Sequence, residues 1–142
     1  MALKDIEKNQ DAKVESVFEA LARSDFRRRQ KLRKPDLRYL KAKGLTAVMR
    51  HAVGFIDERL APAAPPRDGM QTPMKGHPVF TAQHATATCC RRCLASWHRI
   101  PAGRPLADEE KVYIAKVLQR WMEVEMKREN LPDDTAQLSL DV

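Results

Sequence analysis

No run of about eighteen apolar residues interrupts this chain, so no transmembrane helix is expected. The first ten residues, MALKDIEKNQ, lack the apolar stretch of a secretory signal, and the expected location is the cytoplasm. Aromatic residues are scarce at 6%, which leaves no obvious platform for stacking the bases of a single strand. Cysteine is scarcer still. The chain has three, an odd number packed into one short stretch, and this excludes a disulfide framework. Between Asp68 and Asp108 there is no carboxylate at all. Any general base for chemistry in that region must therefore come from elsewhere in the fold.

At 142 residues the chain is read as one domain, long enough to bury a core without help from a metal. The net charge of +7 is concentrated. From Arg27 to Lys43 nine basic residues (Arg27, Arg28, Arg29, Lys31, Arg33, Lys34, Arg38, Lys41, Lys43) stand against one acid, Asp36. The rest of the chain is thus nearly neutral. Such a segment attracts polyanions by counterion release, and Arg27, Arg28, Arg29, Lys31, Arg33 and Lys34 are the candidate contacts to nucleic acid or to an acidic protein. A solvated basic surface with no partner is the plainer alternative.

The apolar pattern is helical. Val14, Val17, Phe18 and Leu21 recur at helical spacing and predict a helix over 11–23, after a flexible 1–10. Ser24 can cap a short turn. Pro35 and Asp36 suit the start of a helix ending near Lys41, with Gly44 as its stop. A wide stripe from Leu45 through Val48, Met49, Ala52, Val53, Phe55 and Ile56 predicts a helix over 46–60, with His51 beside the stripe at the edge of the core or on the surface. Residues 61–78, APAAPPRDGMQTPMKGHP, hold five of the nine prolines and two of the five glycines. That composition forbids a helix or a central strand and predicts a long irregular insert. Residues 79–82 read as a short extended piece and 85–88 as ambiguous. A short helix is expected from Cys90 to Trp97. A long one over 108–128 has Val112, Ile114, Val117, Leu118, Trp121 and Met122 facing inward, acids at its start and bases at its end. The tail, 129–142, is expected to be flexible. The fold class is mainly α: one small helical domain, 11–128, around an irregular proline-rich insert.

The stretch HATATCCRRCLASWH, residues 84–98, contains all three cysteines and two of the four histidines. Zinc is held by four thiolate and imidazole donors in a tetrahedron. Cys90 and Cys93 form a Cys-x-x-Cys pair at a helix start, with His84 six residues before it and His98 five residues after. The preferred ligand set is Cys90, Cys93, His84 and His98, with His77 or Cys89 as substitutes, since the side chains of adjacent cysteines ordinarily diverge. Zinc suits both donor types. Four protein ligands make a closed structural site, whereas three leave a position for water and permit catalysis. Asp57, Glu58 or Asp68 would then be the base in a metal-dependent hydrolase of phosphorylated or nucleic-acid substrates. Arg91, Arg92, Arg99 and Arg104 surround the cluster, and would lower thiol pKa values and bind phosphate. Rival readings are a redox dithiol, which lacks the βαβ setting it needs, a cysteine nucleophile with His84 or His98 as base, a redox or small-molecule sensor, and thiols that are merely buried. Trp97 and Trp121 read as core. Thr81, Thr86 and Thr88 read as positioning hydroxyls.

The run RLAPAAPPRDGMQTPMKGHPVFTAQHATATCCRRCLASWHRIPAGRPL closely resembles a small bacterial family, the domain of unknown function numbered 4186. The likeness extends back to SDFRRRQKL, Lys43-Gly44 and HAVGFIDERL and forward to Trp121-Met122, covering residues 17–123. Met70 stands where the family more often has lysine, and Arg92 where it has glycine. Neither departure removes a candidate ligand. The resemblance implies a compact cytoplasmic protein and brings no activity with it. Function therefore rests on the residues: a zinc-binding helical domain contacting nucleic acid or an acidic partner, with the metal-dependent enzyme as the alternative.

Overall fold

The computed structural model describes residues 3–130, and side chains between 8 and 128. Residues 131–142, most of the expected tail, lie outside it. Among the described residues the chain is helical and has no strand.

Helix α1 spans Leu3–Leu21 and so begins well before the expected Asp11. Its predicted face is the one that packs: Val14, Val17 and Leu21 are buried and Phe18 partly so. Ser24 Oγ accepts from the Arg27 amide and caps α2, Asp25–Arg28. Helix α3, Lys34–Lys43, carries Pro35 in its first turn, where a missing N–H costs nothing. Gly44, at φ 87°, both ends α3 and opens α4, Leu45–Phe55. This backbone geometry is one that a side chain would strain. The predicted helix continues to Leu60, but its last part, Ile56–Leu60, is wound as a π-turn, and the Ala61 amide reaches the Ile56 carbonyl at 2.8 Å. Val48, Ala52, Ile56 and Leu60 lie on its buried side.

Residues 61–77 contain no helix, as their prolines require. Residues 79–82, read as extended, are helical instead. They belong to α5, Pro78–Thr86, all of whose residues are buried. A helix buried on every side shows no apolar stripe, so its period is invisible in the sequence. Its start is nonetheless specified locally: Pro78 fixes φ in the first turn, and the His77 ring Nδ1 accepts the Val79 amide at 3.0 Å. Ala87, at φ 59°, ends it. Helix α6, Arg91–His98, follows after a tight turn, and α7 spans Asp108–Asn130.

The core is built where α5 packs on α7 and α4, with α4 also against α7. From α7 it takes Tyr113, Ile114, Val117, Leu118 and Met122. Val112, expected to face inward, is half exposed, and Tyr113 takes the inward position. Trp121 is partly buried against the core. Helix α1 lies across α5 and α7, and the Glu15–Arg120 ion pair joins its outer side to α7. Helix α2 sits on α5, and α3 on α4 and α5. The turn between α5 and α6 is thereby enclosed by α2 on one side and by the proline-rich segment on the other.

Candidate metal centre

The cysteine segment is held by bonds from four directions. Cys90 is the N-cap of α6, extended in backbone, and its sulfur accepts the Cys93 amide at 3.3 Å. Asp68, from the proline-rich segment, caps the same helix. Its Oδ1 accepts the Arg91 amide at 2.8 Å and its Oδ2 the Arg92 amide at 3.1 Å. Three first-turn donors of α6 are thus satisfied. Burial pushes the Asp68 carboxyl upward, but the bonds from Gln71, Arg91 and Arg92 outweigh it and hold the group below the usual carboxylate range. Thr72 Oγ1 donates to the Cys89 carbonyl at 2.8 Å. Finally, Arg91, almost wholly buried, donates through its two Nη atoms to the carbonyls of Leu60, Pro62, Pro101 and Arg104 at 2.7–3.1 Å. The base of α6 is therefore riveted to the chain on both sides of it.

Held in this way, the sulfurs of Cys89, Cys90 and Cys93 all lie within 4.8 Å of one another. Adjacent side chains usually diverge, yet here the sharp turn after Ala87 brings Cys89 over the first turn of α6, 3.7 Å from Cys93. Cys89 and Cys90 are buried and Cys93 partly so. The bond between Cys89 and Cys93 divides their acidities: it is the first cause lowering the Cys89 thiol, and the first cause raising that of Cys93. Burial raises Cys90.

Arg27 reaches into this group from α2. Its Nη1 donates to the His84 carbonyl at 2.6 Å and its Nη2 to the Cys93 sulfur at 3.3 Å, with the Cys89 sulfur 3.9 Å from Nη1. The guanidinium also lies over the Trp97 ring, 5.7 Å from its centroid. A cleft of about 490 Å³ opens over the sulfurs, bounded by Phe26, Met74, His84, Arg92 and Trp97.

The other expected ligands are placed as follows. His84 lines the cleft but stands outside the 4.8 Å group. Its Nε2 is 3.0 Å from the Thr72 carbonyl and 3.2 Å from that of Pro73, so in the neutral ring this nitrogen is the one that carries the proton, leaving a lone pair on Nδ1. His98 is turned elsewhere. Its Nε2 donates to the Thr86 carbonyl and its Nδ1 accepts from the Tyr113 hydroxyl, both at 2.7 Å. Both nitrogens are occupied, and burial lowers the ring's pKa to about 4. His77 caps α5 and meets His51, at a distance from the sulfurs. Cys89, named only as a substitute, sits with the other two sulfurs.

Of the candidate bases, Asp57 pairs with Lys111 at 3.2 Å and Glu58 is exposed, so neither is part of the cleft. Asp68 is adjacent, but both its oxygens are engaged as caps. Among the surrounding arginines, Arg91 is a buried staple, Arg104 pairs with Glu110 at 2.7 Å, and only Arg92 faces the cleft. Thr86 and Thr88 bond to each other at 3.0 Å inside the core. Arg27 and Asp68, which frame the site, were not evident as such in sequence. Arg27 lies far from the cysteines along the chain and within a basic run that masks it, and a carboxylate capping a helix from another segment leaves no local signature.

The described residues thus form a helical fold without strands, with a three-cysteine cluster that could hold a metal ion. The chain belongs to the family described as domain of unknown function DUF4186, whose profile matches residues 15–123. No solved structure matches it.

Proposed function

We propose that the protein is a zinc-binding domain in which Cys89, Cys90, Cys93 and His84 Nδ1 hold the ion, and that the centre is structural. The observation carrying this is the convergence of three sulfurs within 4.8 Å. Three thiolates and one imidazole are a common structural zinc set. Two further features support it. The carbonyls at His84 Nε2 form the outer support that a metal-bound histidine ordinarily has. Zinc with three thiolates carries one excess negative charge, and the Arg27 guanidinium, which has no carboxylate partner among the described residues, lies where it would balance that charge. With the Asp68 oxygens committed to α6, a free general base is missing from the cleft, which favours a structural role over hydrolysis.

The basic segment supports contact with nucleic acid. Arg29, Lys31, Arg33 and Lys34 are exposed, and none forms an ion pair with a carboxylate among the described residues. Arg28 pairs with Asp25 at 2.6 Å and Arg27 is engaged at the sulfurs, so the surface is narrower than the sequence suggests. Neutralising phosphates makes such binding fall steeply with salt.

Elemental analysis of untagged protein tests the centre. About one zinc per chain is expected, lost in Cys93→Ser and Cys89→Ser and weakened by about 10–100-fold in Arg27→Gln, which removes only an outer-shell partner. Folded wild-type protein without metal, after growth with zinc supplied, rejects the reading.

A further inference from the structure

Away from the sulfurs, a second groove of about 590 Å³ runs between the start of α3 and residues 75–78. It is large enough for a small organic ligand. Two of its lining side chains, Arg33 and Lys75, are exposed cations that form no ion pair with a carboxylate among the described residues. Two others, Tyr39 and His77, present rings 5.3 Å apart, centroid to centroid. The two rings meet edge to face, with Phe55 and Phe80 also packed on His77, so the fold assembles what the sequence lacked, an aromatic corner beside the basic segment.

The His77 ring is fixed at both nitrogens. Nδ1 accepts the Val79 amide, so the proton of the neutral ring is on Nε2, which donates to His51 Nδ1 at 3.1 Å. Burial, then the neighbouring His51, lowers its pKa to about 4, so near neutral pH the ring is an uncharged wall. A ring already immobilised loses little freedom when something stacks on it. Metal binding between the two histidines is disfavoured by the same bonds, because His77 would have to give up its last proton. One carboxylate, Asp36, also lines the groove, its pKa raised by burial against the opposing pull of the nearby Arg33 charge. It suits the amino edge of a base and repels phosphate, which leaves phosphate to Arg33 and Lys75.

We propose that this groove binds one nucleotide unit of a single-stranded nucleic acid, with its phosphate against Arg33 and Lys75 and its base against the Tyr39 and His77 rings. The proposal rests on the nucleic-acid reading of the basic segment and sharpens it to a strand and a place.

The test is fluorescence anisotropy of the full chain with labelled single strands of about 12 nucleotides, and with a duplex of the same sequence, over rising salt. The single strand is expected to bind more tightly than the duplex. The exposed pair Arg33→Glu/Lys75→Glu should weaken strand binding about 30-fold, and Tyr39→Leu about tenfold with an unchanged salt slope. Arg29→Glu/Lys31→Glu, basic but outside the groove, should cost clearly less. Wild-type binding with no loss in the Arg33/Lys75 pair overturns the groove and leaves the nucleic-acid reading standing. No binding of wild type at low salt overturns both. Duplex binding preferred over the strand overturns the proposal, as does a free mononucleotide competing as tightly as the strand, which would assign the groove to a soluble nucleotide. Should Tyr39→Leu fail to fold by circular dichroism, the exposed charge pair decides the matter.

Discussion

Arg91 is the largest of the fully buried side chains, and it is charged. Burial pushes its pKa down, opposed by the charges of Glu110 and Asp68, and its direct hydrogen-bond partners are four backbone carbonyls. Those carbonyls belong to the end of the π-turn and to irregular chain on either side of α6, and have little alternative once enclosed. Replacing Arg91 with leucine should therefore destabilise the protein by at least about 3 kcal/mol in urea unfolding, since each stranded acceptor costs about 1–3 kcal/mol. Lysine should not restore it, because one ammonium cannot span four acceptors. A variant within about 1 kcal/mol of wild type would show that water fills the role. His98 offers a second residue-scale outcome. Its folded pKa of about 4 lies below the unfolded value of 6.5, so the unfolded chain binds the proton more tightly. The stability this histidine supports is complete above pH 6.5 and is lost as pH falls from 6.5 towards 4, at about 1.4 kcal/mol per unit. The check is the unfolding free energy across that window, together with the His98 ring resonance. A midpoint near 6.5 in the folded protein would contradict it.

At the scale of elements, legibility followed periodicity. Helices α1, α4 and α7 each bury one face, and their stripes could be read, although Tyr113 displaced Val112 by one position on α7. Helix α5 buries every face and could not. Helix α6 was found by its Cys-x-x-Cys start, but its true cap includes Asp68, distant in sequence. Asp68→Ala removes acceptors from two first-turn amides and should lower stability by about 1–2 kcal/mol, with Asp68→Asn milder. Thermal unfolding measures this. An unchanged midpoint in Asp68→Ala would mean that Cys90 alone suffices as the cap.

At the scale of the whole molecule, the candidate site was half legible. That cysteines would gather in mid-chain followed from their spacing. That Cys89 rather than His98 would join the other two depended on the turn at Ala87 and on Tyr113, which holds His98 to α7. The basic segment was legible as charge but not as geometry: it is divided between Arg27, turned inward to the sulfurs, and Arg33, turned to the groove. One short stretch of sequence thus contributes a side chain both to the cluster of sulfurs and to the groove at the start of α3.

Helix α5 has a consequence for how the chain comes together. With no surface facing water, and with threonine, valine and phenylalanine among its residues, it has little reason to be helical before its neighbours are in place. Its formation and the docking of α4 and α7 are one event. The centre of this molecule should therefore form and unfold as one unit, with partial loosening expected first at its outer helices.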